Sequence, residues 1–255
     1  MKKKTISGRE AFWRIRSANY DKLYWTKDSN YLGQIIQLAD LKKNHIVLDV
    51  GTGTGDVANA VKKMVRHVVA IDISDSMLEK GDWTGTSIVK WDINESLFAN
   101  GLFDRVFARM VFHHILDNLN RAMLRCYDLL KENGKIIIAE GVPPVNDAEI
   151  VDWYTEMFRF KEERRTFTPE ILKKYLLETG FDNIKTHIYF MDNFSIGNWL
   201  KNSGLEMSVQ KKIMRMHKEA GAAVQEAYQM RFTDNDCLVR TKNIIMVAHK
   251  PVMRD

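Results

Sequence analysis

The sequence predicts an α/β fold with one doubly wound, largely parallel sheet and extra helices before and after it. Three observations carry this reading. Apolar runs of strand length alternate with amphipathic stretches from residue 45 to residue 141. The first run, "HIVLDV", passes straight into the glycine turn "GTGTGD" and then into a helical pattern. Acids close the next two runs, Asp72 and Asp92, at the strand ends where an open α/β sheet binds its ligand.

Each element has its own signal. "REAFWRIRSANYDKLY" (9–24) spaces Phe12, Ile15, Tyr20 and Leu23 as a helical segment. "HIVLDV" (45–50) reads as a buried strand, and "DVANAVKKMV" (56–65) as a helix with Val57, Val61, Met64 and Val65 on one face. "HVVAID" (67–72) is a second strand, and "DSMLEKG" (75–81) a short helix ended by glycine. Strands follow at 86–92 and 103–110, then a helix at 120–134 stopped by Asn133-Gly134, then a strand at 135–141. Residues 147–165 read as helix. In "TPEILKKYLLETG", Thr168 is the N-cap, Pro169 takes the first helical position and Gly180 follows the end. A sixth strand is expected at 181–192 and a seventh at 237–250. Between those two, Val209, Ile213, Met216, Ala220, Val224 and Ala227 mark one amphipathic helix, read as part of a cap over the site. The expected plan is one domain over 1–255, with an N-terminal lid at about 9–40, a core at about 41–142, and cap segments at about 146–168 and 193–233.

Composition narrows the class. The chain has 255 residues, 45% hydrophobic and 28% charged, as for an ordinary globular domain. No apolar run reaches the roughly 18 residues of a membrane span, and "MKKK" is followed by "TISGREAFW", not by a secretory apolar segment. Two cysteines, Cys126 and Cys237, offer no disulfide framework and no cysteine-type metal site, so a cytoplasmic setting without a metal is expected. A net charge of +5 permits an anionic substrate or RNA without establishing either. The basic residues are spread rather than striped, which argues against nucleic acid. Nothing in the sequence sets the oligomeric state.

A glycine turn feeding a helix N-terminus suits a nucleotide-like ligand. The spacing Gly51-x-Gly53-x-Gly55 differs from the dinucleotide fingerprint, and Asp49 stands just before it. A carboxylate there repels a pyrophosphate and suits a cationic group. Asp72 is placed to accept hydrogen bonds from ribose hydroxyls, and Asp92 from an adenine amino group.

"VLDVGTGTGDVA", "VVAIDISDSML", "VKWDINESL", "FDRVFARMVFHHI" and "LLKENGKIIIAEG" resemble, in order and spacing, the motifs of class I S-adenosylmethionine-dependent methyltransferases. The resemblance covers roughly residues 15–192 and is nearest to the small-molecule group of ubiquinone/menaquinone C-methyltransferases, through "ARMVFHHI". It implies a Rossmann-like seven-stranded sheet whose last strand is antiparallel. It also implies S-adenosylmethionine as cofactor, leaving as S-adenosylhomocysteine. By that resemblance Asp49, Gly51, Thr52 and Gly53 line the methionine half, Asp72 holds the ribose, Ile73 and Met77 flank the adenine, and Asp92 and Ile93 bind its edge. Arg109 lies beside the methionine moiety, Tyr20 folds over the cofactor from the lid, Arg16 meets its carboxylate, and His114 closes its pocket.

Methyl transfer needs in-line alignment, and a base only where the nucleophile must lose a proton. The candidates are His113, His114, Glu140, His187 and Asp192, with His113 and His114 preferred; Glu140 reads rather as a substrate contact, and His187, mid-strand, as a core or surface residue. Tyr24, Trp153, Tyr154, Asp192, Trp199, Tyr228 and Arg231 are substrate candidates, as is Arg159. In "MFRFKEERRTF", Arg159, Lys161, Arg164 and Arg165 read as a solvated helix end paired with Glu162 and Glu163, or else as a grip for an anionic substrate. The expected partner is a small molecule, anionic or hydrophobic. Two other classes stay open: an RNA or protein methyltransferase, which an open electropositive cleft would favour, and a non-catalytic protein that keeps the cofactor fold.

Overall fold

The computed structural model describes residues 6–252, with side chains from Glu10 onward. The "MKKK" start lies outside the described residues. The chain opens with α1 (Ile6–Ser17), two short 3-10 turns at Tyr20–Lys22 and Tyr24–Lys27, and α2 (Ser29–Leu38). The alternating part follows: β1 (Ile46–Val50), α3 (Asp56–Val61), β2 (His67–Asp72), α4 (Asp75–Leu78), β3 (Ser87–Lys90), β4 (Phe103–Arg109), α5 (Leu119–Leu129) and β5 (Leu130–Val142). Then come α6 (Ala148–Lys161), α7 (Pro169–Thr179), β6 (Asp182–Ser195), α8 (Ile196–Lys201), α9 (Met207–Lys218), α10 (Ala222–Ala227), β7 (Arg231–Phe232) and β8 (Cys237–His249).

The strand order is β3-β2-β1-β4-β5-β8-β6. All pairs from β3 to β5 are parallel, while β8 runs antiparallel to both β5 and β6. The two-residue β7 adds a short antiparallel pair to β8, so the sheet has eight strands rather than the expected seven. The winding reverses between β1 and β4. That is the switch point, and it leaves a crevice beyond the ends of those two strands.

Both sheet faces are covered. On one, Leu119, Met123 and Leu129 of α5 pack with Leu172 and Leu176 of α7 against Leu48, Val106, Ile136 and Met246. On the other, Tyr31 and Ile35 of α2 pack with Val57 and Val61 of α3 against Val47, Phe107, Ile137 and Ile245. A third cluster lies under the cap, where Ile150, Tyr154 and Met157 of α6 meet Trp199, Ile213, Val224 and Tyr228.

Four expected elements are corrected. The helix expected through residue 24 ends at Ser17, because Leu23 turns into the cap cluster while Ile15 stays exposed. The helix expected at 56–65 stops at Val61. The helix expected at 120–134 ends at Leu129: Leu130 already pairs with Phe103, and Asn133 and Gly134 exchange backbone hydrogen bonds with Lys250 at 3.0 and 2.9 Å. The single helix expected at 209–227 breaks into α9 and α10 at Gly221, although Ile213, Ala220 and Val224 are buried as expected. By contrast, α7 starts and stops where its caps predict: Thr168 Oγ1 accepts from the Ile171 amide, and Gly180 is left-handed at φ +103°.

Candidate active site

The crevice beyond β1 and β4 opens into a cavity of about 400 Å³. Its floor is the turn after β1. Gly51 has φ +62°, and a Cβ there would meet the Val111 side chain at 2.5 Å, so only glycine lets the two loops approach. Asp49 is buried, and its Oδ2 accepts from Thr52 Oγ1 at 2.6 Å and from the Ala58 amide at 3.2 Å. These donors are a hydroxyl and an amide, not a cation, and burial pushes the carboxyl up to about 7. Asp72 ends β2 and also takes two amides, from Gly53 at 2.9 Å and Ser74 at 3.0 Å; burial raises its pKa too. Ile73, Met77, Asp92 and Ile93 line the same cavity, together with Gly51, Thr52, Gly53, Tyr20, Arg109 and His114.

The lid helix reaches this cavity with Phe12 and Trp13. It is fastened by Glu10, whose Oε1 accepts from the Ser76 amide at 3.2 Å and from Ser74 Oγ at 3.3 Å. Arg109 donates to Asp56 at 2.8 Å and lies under Trp25, with 5.4 Å to the ring centroid. Arg109, expected beside the methionine moiety, thus lines the cavity while its side chain pins the start of α3.

A second cavity, of about 170 Å³, adjoins the first. Trp13, Tyr20, Trp25, Met110 and His114 line both, so they form the neck between them. The His114 ring sits 4.8 Å from Trp13 and 4.0 Å from His113. His113 lines the second cavity, and its Nδ1 lies 2.6 Å from Oε2 of the fully buried Glu140. That leaves Nε2 as the ring nitrogen available to another partner. Burial holds both histidines well below their ordinary pKa and pushes Glu140 up to about 7. Glu140 thus stands behind His113 and is not itself among the residues lining the second cavity, so its expected substrate contact becomes a contact to the histidine.

Of the other expected site residues, Tyr154, Trp199 and Tyr228 line the second cavity. Trp153 stands behind them, with its ring against His217 and Tyr228 at 5.1 and 5.3 Å. Arg16 lines the second cavity, not the first, and its Nη1 meets Glu162 at 2.5 Å, so its expected place at the cofactor is corrected. Tyr24 is 71% exposed. Asp192 pairs with Arg240 at 3.1 Å, Arg231 donates to Asn193, and Arg159 pairs with Glu156 at 2.9 Å. These four line neither cavity; Tyr24 and Asp192 border a separate small pocket instead. His187 lies mid-strand on β6 and is also outside both.

The solvated reading of "FKEERR" is overturned. After α6 the chain runs inward in extended form, with Glu162 at φ −164°. The side chains of Lys161, Glu162 and Arg164 are 6%, 2% and 7% exposed. Arg165 instead clamps the loop after β4, donating to the carbonyls of Ile115 at 2.7 Å and of Leu116. His113, His114 and Glu162 offer ligand atoms within 4.8 Å of one another. Glu162 Oε2, however, is shared by Arg16 and by Lys161 at 2.9 Å, so added positive charge there meets two cations already in place. No helix among the described residues is long and apolar enough to cross a membrane.

Comparison with known proteins agrees with this geometry. A family model described as a methyltransferase domain matches residues 24–210, well over half of the chain. A ubiquinone/menaquinone biosynthesis C-methyltransferase of Pseudomonas putida is 28% identical over 184 residues, 60% of this chain and 71% of that protein. A demethylmenaquinone methyltransferase of Thermotoga maritima is 25% identical over 206 residues, 77% of this chain and 78% of that one. Among solved structures, a candidate methyltransferase of Bacillus halodurans superposes with a TM-score of 0.79 at 23% identity, covering 87% of this chain and 99% of its own.

Proposed function

This chain belongs to the methyltransferase domain family as a class I S-adenosylmethionine-dependent enzyme, and on that premise we propose that it methylates a small, partly aromatic molecule held in the second cavity. The observation that carries the proposal is the pair of adjoining cavities: a large one floored by glycines and acids, and a smaller one walled by aromatic side chains and roofed by the lid and cap.

The first cavity fits the cofactor by the chemistry of its donor set. Asp49 is a buried carboxylate without a cationic hydrogen-bond partner, which suits an ammonium group. Asp72 keeps lone pairs for the ribose hydroxyls beyond the two amides it accepts. Ile73, Met77 and Ile93 give apolar faces for a flat base, and Asp92 an acceptor for its amino group. Arg109 and Tyr20 complete the wall toward the neck. When bound, S-adenosylmethionine supplies a methyl on a sulfonium, which departs as a neutral thioether as the nucleophile's electron pair takes the methyl.

The protein's part is alignment, exclusion of water and removal of one proton. Trp13, Tyr20, Trp25 and Met110 close the neck around the transfer line. His113 is the general base. With Glu140 ionised, Nδ1–H donates to the carboxylate and Nε2 is free to take the proton the nucleophile loses. This favours a nucleophile that must shed a proton, such as a hydroxyl. The ring-sized, aromatic-walled second cavity supports a small-molecule substrate over an RNA or protein one.

The test is to incubate the purified protein with methyl-labelled S-adenosylmethionine and a fractionated cell extract. Label confined to small molecules is expected, and label in RNA or protein would overturn the substrate class. Calorimetry with S-adenosylhomocysteine separately decides the cofactor.

A further inference from the structure

The second cavity gathers three basic side chains around one carboxylate, and burial lowers one of them, the Lys161 ammonium, to about 7. Arg16, Lys161 and Arg164 all face one carboxylate, Glu162. Arg16 Nη1 and Lys161 Nζ reach its Oε2 at 2.5 and 2.9 Å. Arg164 Nη1 stays 3.7 Å from Oε1, beyond hydrogen-bond reach. The one hydrogen bond found for the Arg164 side chain runs from Nε to the Arg165 carbonyl, at 3.3 Å. Nη2 of Arg164 and Nη2 of Arg16 are buried without a partner. A buried guanidinium with idle donors is costly, and the cost is removed when an anion with two oxygens takes them.

The walls say what carries the anion. Arg164 sits over the Phe158 ring at 4.2 Å, and Lys161 over Trp199 at 5.0 Å. Phe158 also packs on Tyr154 at 4.6 Å. A flat ring fits among such faces. The volume, about 170 Å³, is close to the ~150 Å³ apolar cavity that holds one benzene. Room for a single substituted ring, together with a surplus of buried guanidinium, defines the ligand.

We propose that the second cavity recognises a ring-bearing carboxylate, with Arg164 as the main anchor for the carboxylate and Arg16 as its neighbour. A monoanion matches better than a phosphate ester, because Glu162 already balances part of the cluster and a second negative charge would lie against it. The proposal rests on the methyltransferase reading only in calling the occupant a substrate. The anion site itself is independent of it.

The experiment uses the full chain saturated with S-adenosylhomocysteine and three probes: benzoate, its neutral isostere benzamide, and phenyl phosphate. Each is titrated by calorimetry into the unaltered protein and into Arg164→Met and Arg164→Lys. Benzoate is expected to bind at least ~tenfold tighter than benzamide, the worth of one charge-assisted hydrogen bond or more. Arg164→Met should bring the two probes level, Arg164→Lys should keep part of the preference, and both should bind S-adenosylhomocysteine as before. Equal binding of benzoate and benzamide, or no saturable benzoate binding, would overturn the proposal in the unaltered protein without any variant having to fold. A preference left intact in Arg164→Met would overturn the anchor, and tighter binding of phenyl phosphate would overturn the carboxylate. If S-adenosylhomocysteine itself fails to bind, the methyltransferase reading falls, and the ratio of the probes, titrated without it, still decides the anion site.

Discussion

Asp72 accepts two backbone amides before any ligand arrives, so its carboxylate is fixed in position on both oxygens. Asp72→Asn keeps the volume but replaces one acceptor oxygen with a donor that faces an amide. S-adenosylhomocysteine affinity, measured by calorimetry, should fall by about 10–100-fold, as for loss of one or two hydrogen bonds to a charged group. His113 and Glu140 form the other decisive pair, and they titrate as a unit. The base-competent form has lost the shared proton. With Glu140 pushed up to about 7, that form grows as pH rises, so kcat should climb through about pH 7. Glu140→Gln keeps the hydrogen bond but not the charge, and should lower kcat by ~100-fold while KM stays near its value. An unchanged pH profile in that variant would remove His113 from the proton path.

At the scale of elements, the sheet and its ligand end were legible because they depend on local signals. Apolar runs, the "GTGTGD" turn and strand-terminal acids sit in one stretch of chain, and the caps of α7 needed only Thr168, Pro169 and Gly180. What was not legible depends on distant partners. The run after α6 looks solvated, and the distant partner that draws Glu162 inward is Arg16, far away on α1. The break at Gly221 is masked by an apolar spacing that continues straight through it. The lid has the same character: α1 is held on α4 by Glu10, a residue that no motif singles out. Glu10→Ala should therefore weaken S-adenosylhomocysteine binding by about fivefold, the worth of roughly 1 kcal/mol. Amide exchange should quicken over residues 10–17 and stay slow in β1, β4 and β5. Uniform exchange across the lid and the sheet would mean that α1 is held by its apolar face alone.

Over the whole molecule, the site is built at the expense of stability, and pH exposes the cost. Asp49 and Glu140 are both raised from ordinary carboxyl values of 3.8 and 4.5 to about 7 by burial. The folded protein therefore holds more protons than the unfolded chain between those limits. The stability the two carboxyls contribute is complete below about pH 4 and is lost as pH rises through about 7, on the order of 3–4 kcal/mol for each. Glu162 acts in the opposite sense. Its buried cations hold it well below 4.5, so its contribution is present above that value and fades only in acid. His113 and His114, held well below 6.5 by burial, act against the two carboxyls and lose stability as pH falls below 6.5, so the carboxyl contribution is read as the difference between the unaltered protein and a variant that lacks one carboxyl. Glu140→Gln removes one of the two carboxyl titrations, so relative to the unaltered protein its melting temperature should rise from pH 5 to pH 7, read by calorimetric melting across pH 5–8. S-adenosylmethionine carries an ammonium group and should raise the melting temperature more near pH 7 than near pH 5 by stabilising ionised Asp49, an effect that Asp49→Asn would abolish. A pH dependence of melting unchanged by either substitution would mean that the two carboxyls do not titrate in this range. The proton path assigned to His113 and Glu140 would then need another donor to carry it.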